Sequence, residues 1–223
     1  MKFTYVVLAL SLSLSSAACK NPADGKSKAT VEAAKPEGTE PAPTPASTAP
    51  AAAPAGAAKY AIAPGTSTVN LVASKPTKTH HIKVNKFDGS IEVADGKPEL
   101  AKVNVTIDMK SVEADDPKLT GHLQSKDFFE TEKFPTATFT TTEIKAGGDK
   151  GATHTITGNF ELRGVKKSIT FPATVAVGAD KVSVKSEFVI NRKDWNIVYP
   201  GMADDLIRDE VIVQLDLNAP VAK

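Results

Sequence analysis

Only one of the 223 residues is a cysteine, Cys19, so no disulfide can form within a single chain. Long apolar runs are also missing. The run VVLALSLSL near the start falls well short of the roughly 20 residues that a helix needs to cross a hydrocarbon core, and no later segment comes closer. Charge of one sign is absent: 27 lysines and arginines face 26 aspartates and glutamates, which leaves no net field to attract phosphates. Nucleic acid is thereby excluded as an expected partner. The sequence holds no nucleophile elbow, no Cys and His pair and no glycine-rich phosphate loop. His80 and His81 are adjacent, and strand neighbours point to opposite faces, so they do not make a facial metal pair. His122 and His154 stand alone in sequence, and Glu113, Asp115 and Asp116 lack the spacing of a calcium loop. No metal, cofactor or catalytic residue is expected; the sole general-base pairing on offer is His122 with Asp127.

What is present divides the chain by composition. Residues 1–18 carry Lys2, then the apolar run, then Ser15, Ser16, Ala17 and Ala18, which is the form of an export signal. Cys19 follows directly, and SSAAC resembles a bacterial lipobox, with Ser16 where leucine is usual. The resemblance implies that Cys19 is lipidated and anchors the chain in the cell envelope, facing the periplasm. The alternative is ordinary cleavage after Ala18 that leaves a free thiol. Lys20 stands where some bacterial lipoproteins carry a retaining aspartate, which favours the outer membrane. Residues 19–58 are rich in Ala, Pro, Thr and Gly and hold no aromatic residue until Tyr60. Such a segment cannot bury enough apolar surface to offset its ordering entropy, so a disordered tether is expected, reaching about 35 Å as a coil.

From residue 59 to about 219 the texture changes to short alternating runs. In AKVNVTIDM, Ala101, Val103, Val105, Ile107 and Met109 share one face while Lys102, Asn104, Thr106 and Asp108 share the other. HTITGNFEL, SITFPATVAV, VSVKSEFVI and VIVQLDL behave alike, and weaker runs lie near 67–74, 81–93 and 136–145. Together these make eight antiparallel strands separated by turn signals such as ADGKP and RGVKK. A sandwich or a closed barrel satisfies that pattern, and closure alone removes exposed edges. Only the 110–135 region breaks it, placing Phe128 and Phe129 side by side.

Several segments in order resemble the YceI-like family over about residues 60–218. They are His122-Leu123 with Ser125, Asp127-Phe128-Phe129, Lys133-Phe134-Pro135, and Thr138-Phe139; then Gly158 through Lys167; then Ile190-Asn191-Arg192-Lys193-Asp194-Trp195-Asn196-Ile197; and Asp209 through Val213. The chain departs from the pattern at Thr120-Gly121, where the family carries Arg-Asp, and at Ala63 and Thr66, where it carries an acid and an imidazole. The resemblance implies an all-β fold, an eight-stranded antiparallel lipocalin-like barrel with a short helical turn near 119–126. It further implies a long-chain lipid partner, an isoprenoid above all. By strand phase the lumen would be lined by Val69, Leu71, Val103, Val105, Ile107, Phe139, Ile156, Phe160, Phe171, Val175 and Phe188, with Phe128, Phe129 and Trp195 near an end. Asp127 is expected to bond nearby backbone, and Arg163, Lys166, Lys167, Arg192 and Lys193 to form a basic rim for a headgroup. A packed structural or envelope-stress interaction domain, and a lipid-modifying enzyme, stay open as alternatives, as do the headgroup and the oligomeric state.

Overall fold

The computed structural model describes residues 21–36 and 57–222. The expected signal, Cys19 and the part of the expected tether at 37–56 lie outside the described residues. The strands are β1 (Thr30–Ala33), β2 (Ala57–Ile62), β3 (Thr68–Lys75), β4 (Lys78–Val84), β5 (Phe87–Ala94), β6 (Lys102–Asp108) and β7 (Val112–Ala114). After helix α1 (Pro117–Gln124) come β8 (Thr136–Ala146), β9 (His154–Leu162), β10 (Val165–Val177), β11 (Lys181–Asn191), the small hairpin β12 (Gly201–Met202) and β13 (Asp205–Leu206), and β14 (Glu210–Pro220).

Each of the eight runs read from sequence becomes one segment of a barrel wall. β2 and β3 continue each other along one side of β4 and β5, which are a single strand bent at Asn85 and Lys86. Across that bend Asn85 N donates to Ser111 O at 3.2 Å and Asp108 N to Lys86 O at 3.0 Å, so β6 and β7 likewise act as one partner strand. The ladder runs on antiparallel through β8, β9, β10, β11 and β14. It closes where Ile212–Asp216 of β14 pair with Thr68–Val72 of β3. Polar–apolar alternation thus turns one face of every strand inward, as the period of two requires.

The barrel's two ends differ. One is filled by Tyr60, Val93, Val182 and Ala219, each no more than 3% exposed, with Tyr60 Oη donating to Gly178 O at 3.0 Å. The other end is capped by α1 and by the segment 192–209. Asp116 caps α1 by accepting from Lys118 N at 2.8 Å, and Pro117 follows where a missing N–H costs nothing. Past α1, Glu130 takes a positive φ and the chain turns Leu123, Phe128 and Phe129 into the interior. The helical turn falls where the sequence places it.

Proline decides where the wall opens. Pro172 in β10 has no N–H to give, and the β10 and β11 ladder reaches only from Thr174 to Val177. Ser186 Oγ donates to Pro172 O at 2.6 Å at the parting point, and beyond it both strands present free edges. Residues 27–33 fill the gap. Val189 N donates to Ser27 O at 2.9 Å, Ala29 N to Val189 O at 2.8 Å, and β1 pairs antiparallel with Ala33 opposite Lys167 and Thr30 opposite Thr170. Ala29 and Val31 pack against the barrel core. Ahead of them Ala23, 3% exposed, seals an outer apolar patch of Val72, Val189 and Ile212. Asn159 finishes the segment by exchanging bonds with Lys35, accepting from its N at 2.9 Å and donating to its O at 2.8 Å.

This corrects the expectation of an unfolded tether beginning at Cys19, because residues 27–33 complete the wall and the flanking residues 21–26 and 34–36 are ordered beside it. Composition alone describes a segment in isolation and is blind to strand edges that need a partner. Placing a carboxylate among Val72, Val189 and Ile212 by Ala23→Asp is expected to free this segment while the closed barrel survives. Amide exchange checks it: protection should fall at Val189 while Val105 stays protected, and unchanged protection at Val189 would contradict the account.

Candidate ligand-binding cavity

Inside the barrel lies a cavity of ≈ 200 Å³ whose exposed lining is wholly apolar. Val69, Leu71, Val103, Val105, Ile107, Phe128, Phe129, Phe139, Ile156, Phe160, Phe171, Phe188 and Trp195 all line it, as strand phase and the resemblance imply. Val103, Val105 and Ile107 point inward yet are only half-buried, as expected of side chains that face empty space. Val175 is the exception. It lies past Ala173 on the stretch of β10 held by Thr153 Oγ1, where Val175 N donates at 2.8 Å, and it packs on the core without reaching the cavity.

Aromatic rings shape the interior. Phe171 stacks on Phe188 at 4.3 Å with 13° between planes, and Phe139 tilts against Phe171 at 5.9 Å. Phe139 reaches this position because residue 158 is glycine: a Cβ there would lie 2.4 Å from Phe139 Cζ. Toward the capped end Phe160 meets Trp195 edge-on at 5.4 Å, and Trp195 is fully buried. Met109, Val112 and Leu123, together with Ile197 and Ile207 of the 192–209 segment, complete that end of the lining. Met109 ends the apolar face of AKVNVTIDM, whereas Val112, Leu123, Ile197 and Ile207 lie in turns and short elements where no period of two marks a face.

The basic residues expected to form a rim do not converge on one. Arg192 is 5% exposed and lies beneath the 192–209 segment. Its guanidinium donates to Ile197 O at 2.6 Å, Arg208 O at 3.2 Å, Ile207 O at 3.3 Å and Asp209 Oδ1 at 3.1 Å. Burial pulls its pKa below the usual value and Asp209 opposes that pull. Arg163 occupies a two-residue turn between β9 and β10 with Gly164, both at positive φ, the geometry that fits a tight hairpin. Its side chain donates to Lys126 O at 2.7 Å and to Asn196 O, so it fastens three parts of the cap. Lys167 stands in the ladder opposite Ala33, Lys166 is exposed on β10, and Lys193 pairs with Asp209 at 2.7 Å. A basic turn suggests side chains free to meet a headgroup, whereas these arginines donate to backbone carbonyls brought near by folding.

The Asp127 carboxylate meets a side chain rather than backbone N–H donors: its Oδ2 lies 3.0 Å from His122 Nε2. The His122 ring meets Phe128 and Tyr199 edge-on, each at 4.9 Å. The pair therefore docks α1 on the 192–209 segment.

With fold and cavity in place, comparison with known proteins is decisive. A model of the YceI-like domain matches residues 60–219. The chain belongs to the YceI-like family. Its resemblance to the UPF0312 protein of Pectobacterium atrosepticum is 37% identity over 119 residues, 51% of this chain and 60% of the relative, so the match spans less than two thirds of that protein. Among solved structures it is similar to BcnA of Burkholderia cenocepacia at 25% identity and TM-score 0.58, covering 69% of this chain and 96% of that one. A polyisoprenoid binding domain from Saccharophagus degradans shares the fold at 19% identity and TM-score 0.58, over 74% and 99% of the two chains. The YceI-like motif residues Asp127, Phe128, Phe129, Arg163, Arg192 and Trp195 all gather at the capped end.

Arg192→Met is expected to leave the buried carbonyls of Ile197 and Ile207 without donors, lowering stability by about 3 kcal/mol. Chemical denaturation followed by near-ultraviolet circular dichroism of Trp195 measures it. A loss under about 0.5 kcal/mol, the range of ordinary surface changes, would contradict the role assigned to the guanidinium.

Proposed function

We propose that this chain is an exported, lipid-anchored binding protein that sequesters a long apolar lipid, an isoprenoid chain, in the barrel cavity, and that it is not an enzyme. The observation that carries the reading is the cavity lining, which offers apolar atoms alone. A cavity of this size and character holds no hydrogen-bonded water, so an entering hydrocarbon displaces nothing that was well satisfied. Each methylene taken from water contributes about 0.8 kcal/mol, so affinity grows with the length of chain enclosed. The polyisoprenoid binding named for the Saccharophagus degradans domain agrees with this reading. Catalysis is disfavoured because the charged group nearest the cavity, Arg192, has its donors taken by Ile197 O, Ile207 O, Arg208 O and Asp209. Cys19 carries the acyl chains in this proposal, two or more of which make anchoring stable where one is marginal. Lys20 directs the anchor to the outer membrane, with the barrel facing the periplasm.

Val105→Trp tests the cavity. An empty barrel has room for the indole, so uptake of a fluorescent isoprenoid should be lost with little change in melting temperature. A barrel with no room would instead lose about 1–3 kcal/mol of stability. That loss, in a parent protein that takes up no isoprenoid, would contradict the proposal. Cys19→Ala tests the anchor separately: the protein should leave the membrane fraction with its β-sheet circular dichroism unchanged, and continued retention would contradict acylation at that residue.

A further inference from the structure

The capped end of the barrel carries an amphipathic strip. Within 196–209, Ile197 and Ile207 line the cavity while Val198, Met202 and Leu206 turn outward, 61%, 68% and 53% exposed. The β12 and β13 hairpin that holds Met202 and Leu206 is fastened to the body: Asp205 pairs with Lys75 and accepts from Thr77 Oγ1 at 2.7 Å, and Arg208 N donates to Ser74 O at 2.9 Å. These apolar side chains are thus presented on a braced platform one layer away from the cavity.

The path of the N-terminal segment supplies the second observation. Asn21 Nδ2 donates to Glu210 Oε2 at 2.6 Å and Lys28 Nζ pairs with Glu210 Oε1 at 2.6 Å. Glu210 opens β14 at the capped end, four residues after Leu206. Asn21 is thus held at this end and not at the opposite one, which Tyr60 and Val93 seal, and Cys19 precedes it in sequence by two residues, a reach of no more than about 7 Å. The stretch 37–56 joins Pro36 to β2 and therefore does not separate Cys19 from the barrel.

We infer that the capped end is the membrane-docking face: Val198, Met202 and Leu206 rest in the lipid bilayer that holds the Cys19 acyl chains, and the 192–209 segment lies between that bilayer and the cavity. The inference rests on acylation at Cys19. Apolar side chains beside an anchor sink into the boundary between headgroups and acyl chains, where their burial adds to the anchor's hold. An apolar ligand would then pass between bilayer and barrel across one thin segment without crossing water. Asp204 and Asp205 at the hairpin turn offer no basic group to lipid phosphates, so the hold at this hairpin rests on apolar burial.

The test uses the full acylated chain in vesicles of phosphatidylethanolamine and phosphatidylglycerol. Acylation blocks the Cys19 sulfur as a thioether, so Met202→Cys offers the only thiol for an environment-sensitive nitrobenzoxadiazole dye. Leu100→Cys, at the opposite end, serves as the reference. The expected result is one dye per chain, with emission at 202 rising several-fold and shifting to the blue while that at 100 stays as in buffer. Equal responses at the two positions, with one dye per chain, would overturn the orientation alone. Two dyes per chain would contradict the acyl anchor and this orientation with it. Independently, Val198→Asp with Leu206→Asp should slow transfer of a dansyl-labelled geranylgeranyl lipid from vesicles about tenfold. Uptake of the same probe delivered from ethanol should not change; an unchanged transfer rate would count against the docking face.

Discussion

A strand whose proline has no N–H to give sets the plan of this molecule. A barrel is stable because its wall has no unpaired edge, and Pro172 ends the pairing of β10 with β11 partway along. The edges left beyond it must find partners or face water as orphan donors and acceptors. Residues 27–33 provide those partners, parallel to β11 at Val189 and antiparallel to β10 at Thr170. The residues just before them are then drawn to Glu210 and to the apolar patch under Ala23. The position of the N-terminal segment from Asn21 onward follows from one missing hydrogen-bond donor.

A second constraint acts at the capped end. An apolar cavity cannot be closed by bare backbone, because turn carbonyls would lie against hydrocarbon without donors. Arg192 and Arg163 resolve this by donating into the carbonyls of 196, 197, 207 and 208 and of Lys126. Their guanidinium forks satisfy several acceptors at once, which a lysine could not do from one point. The charge is used to finish a surface around an apolar space, and although Thr141 and Arg192 stand in the lining, the surface the cavity exposes is apolar. On the proposed reading, recognition there rests on shape and hydrocarbon length.

Much of this was legible in the sequence. A period of two in AKVNVTIDM and its counterparts set which side chains enter the barrel, because register in a closed wall admits no slip without turning every apolar residue outward. The lumen positions follow from that phase, and Phe128 and Phe129 mark the cap because alternation fails there. Val175 shows the limit of phase: it tells which face a residue occupies but not how far along the barrel the cavity reaches. The roles of Arg192 and Arg163 were illegible because their partners are backbone carbonyls brought near only by folding. The wall strand in residues 21–36 was hidden for the same kind of reason, since the edge it satisfies is created by residues about 140 positions later.

All of these features converge on one claim, that the space enclosed by the wall exists to hold a long apolar chain. Lipid extraction from the natively purified protein, followed by mass spectrometry, measures that claim most directly. The account predicts an isoprenoid-class lipid in amounts comparable with the protein, depleted from preparations in which the cavity has been filled by a larger side chain. Protein that carries no lipid after gentle purification, and that fails to take up an isoprenoid offered in excess, would contradict it.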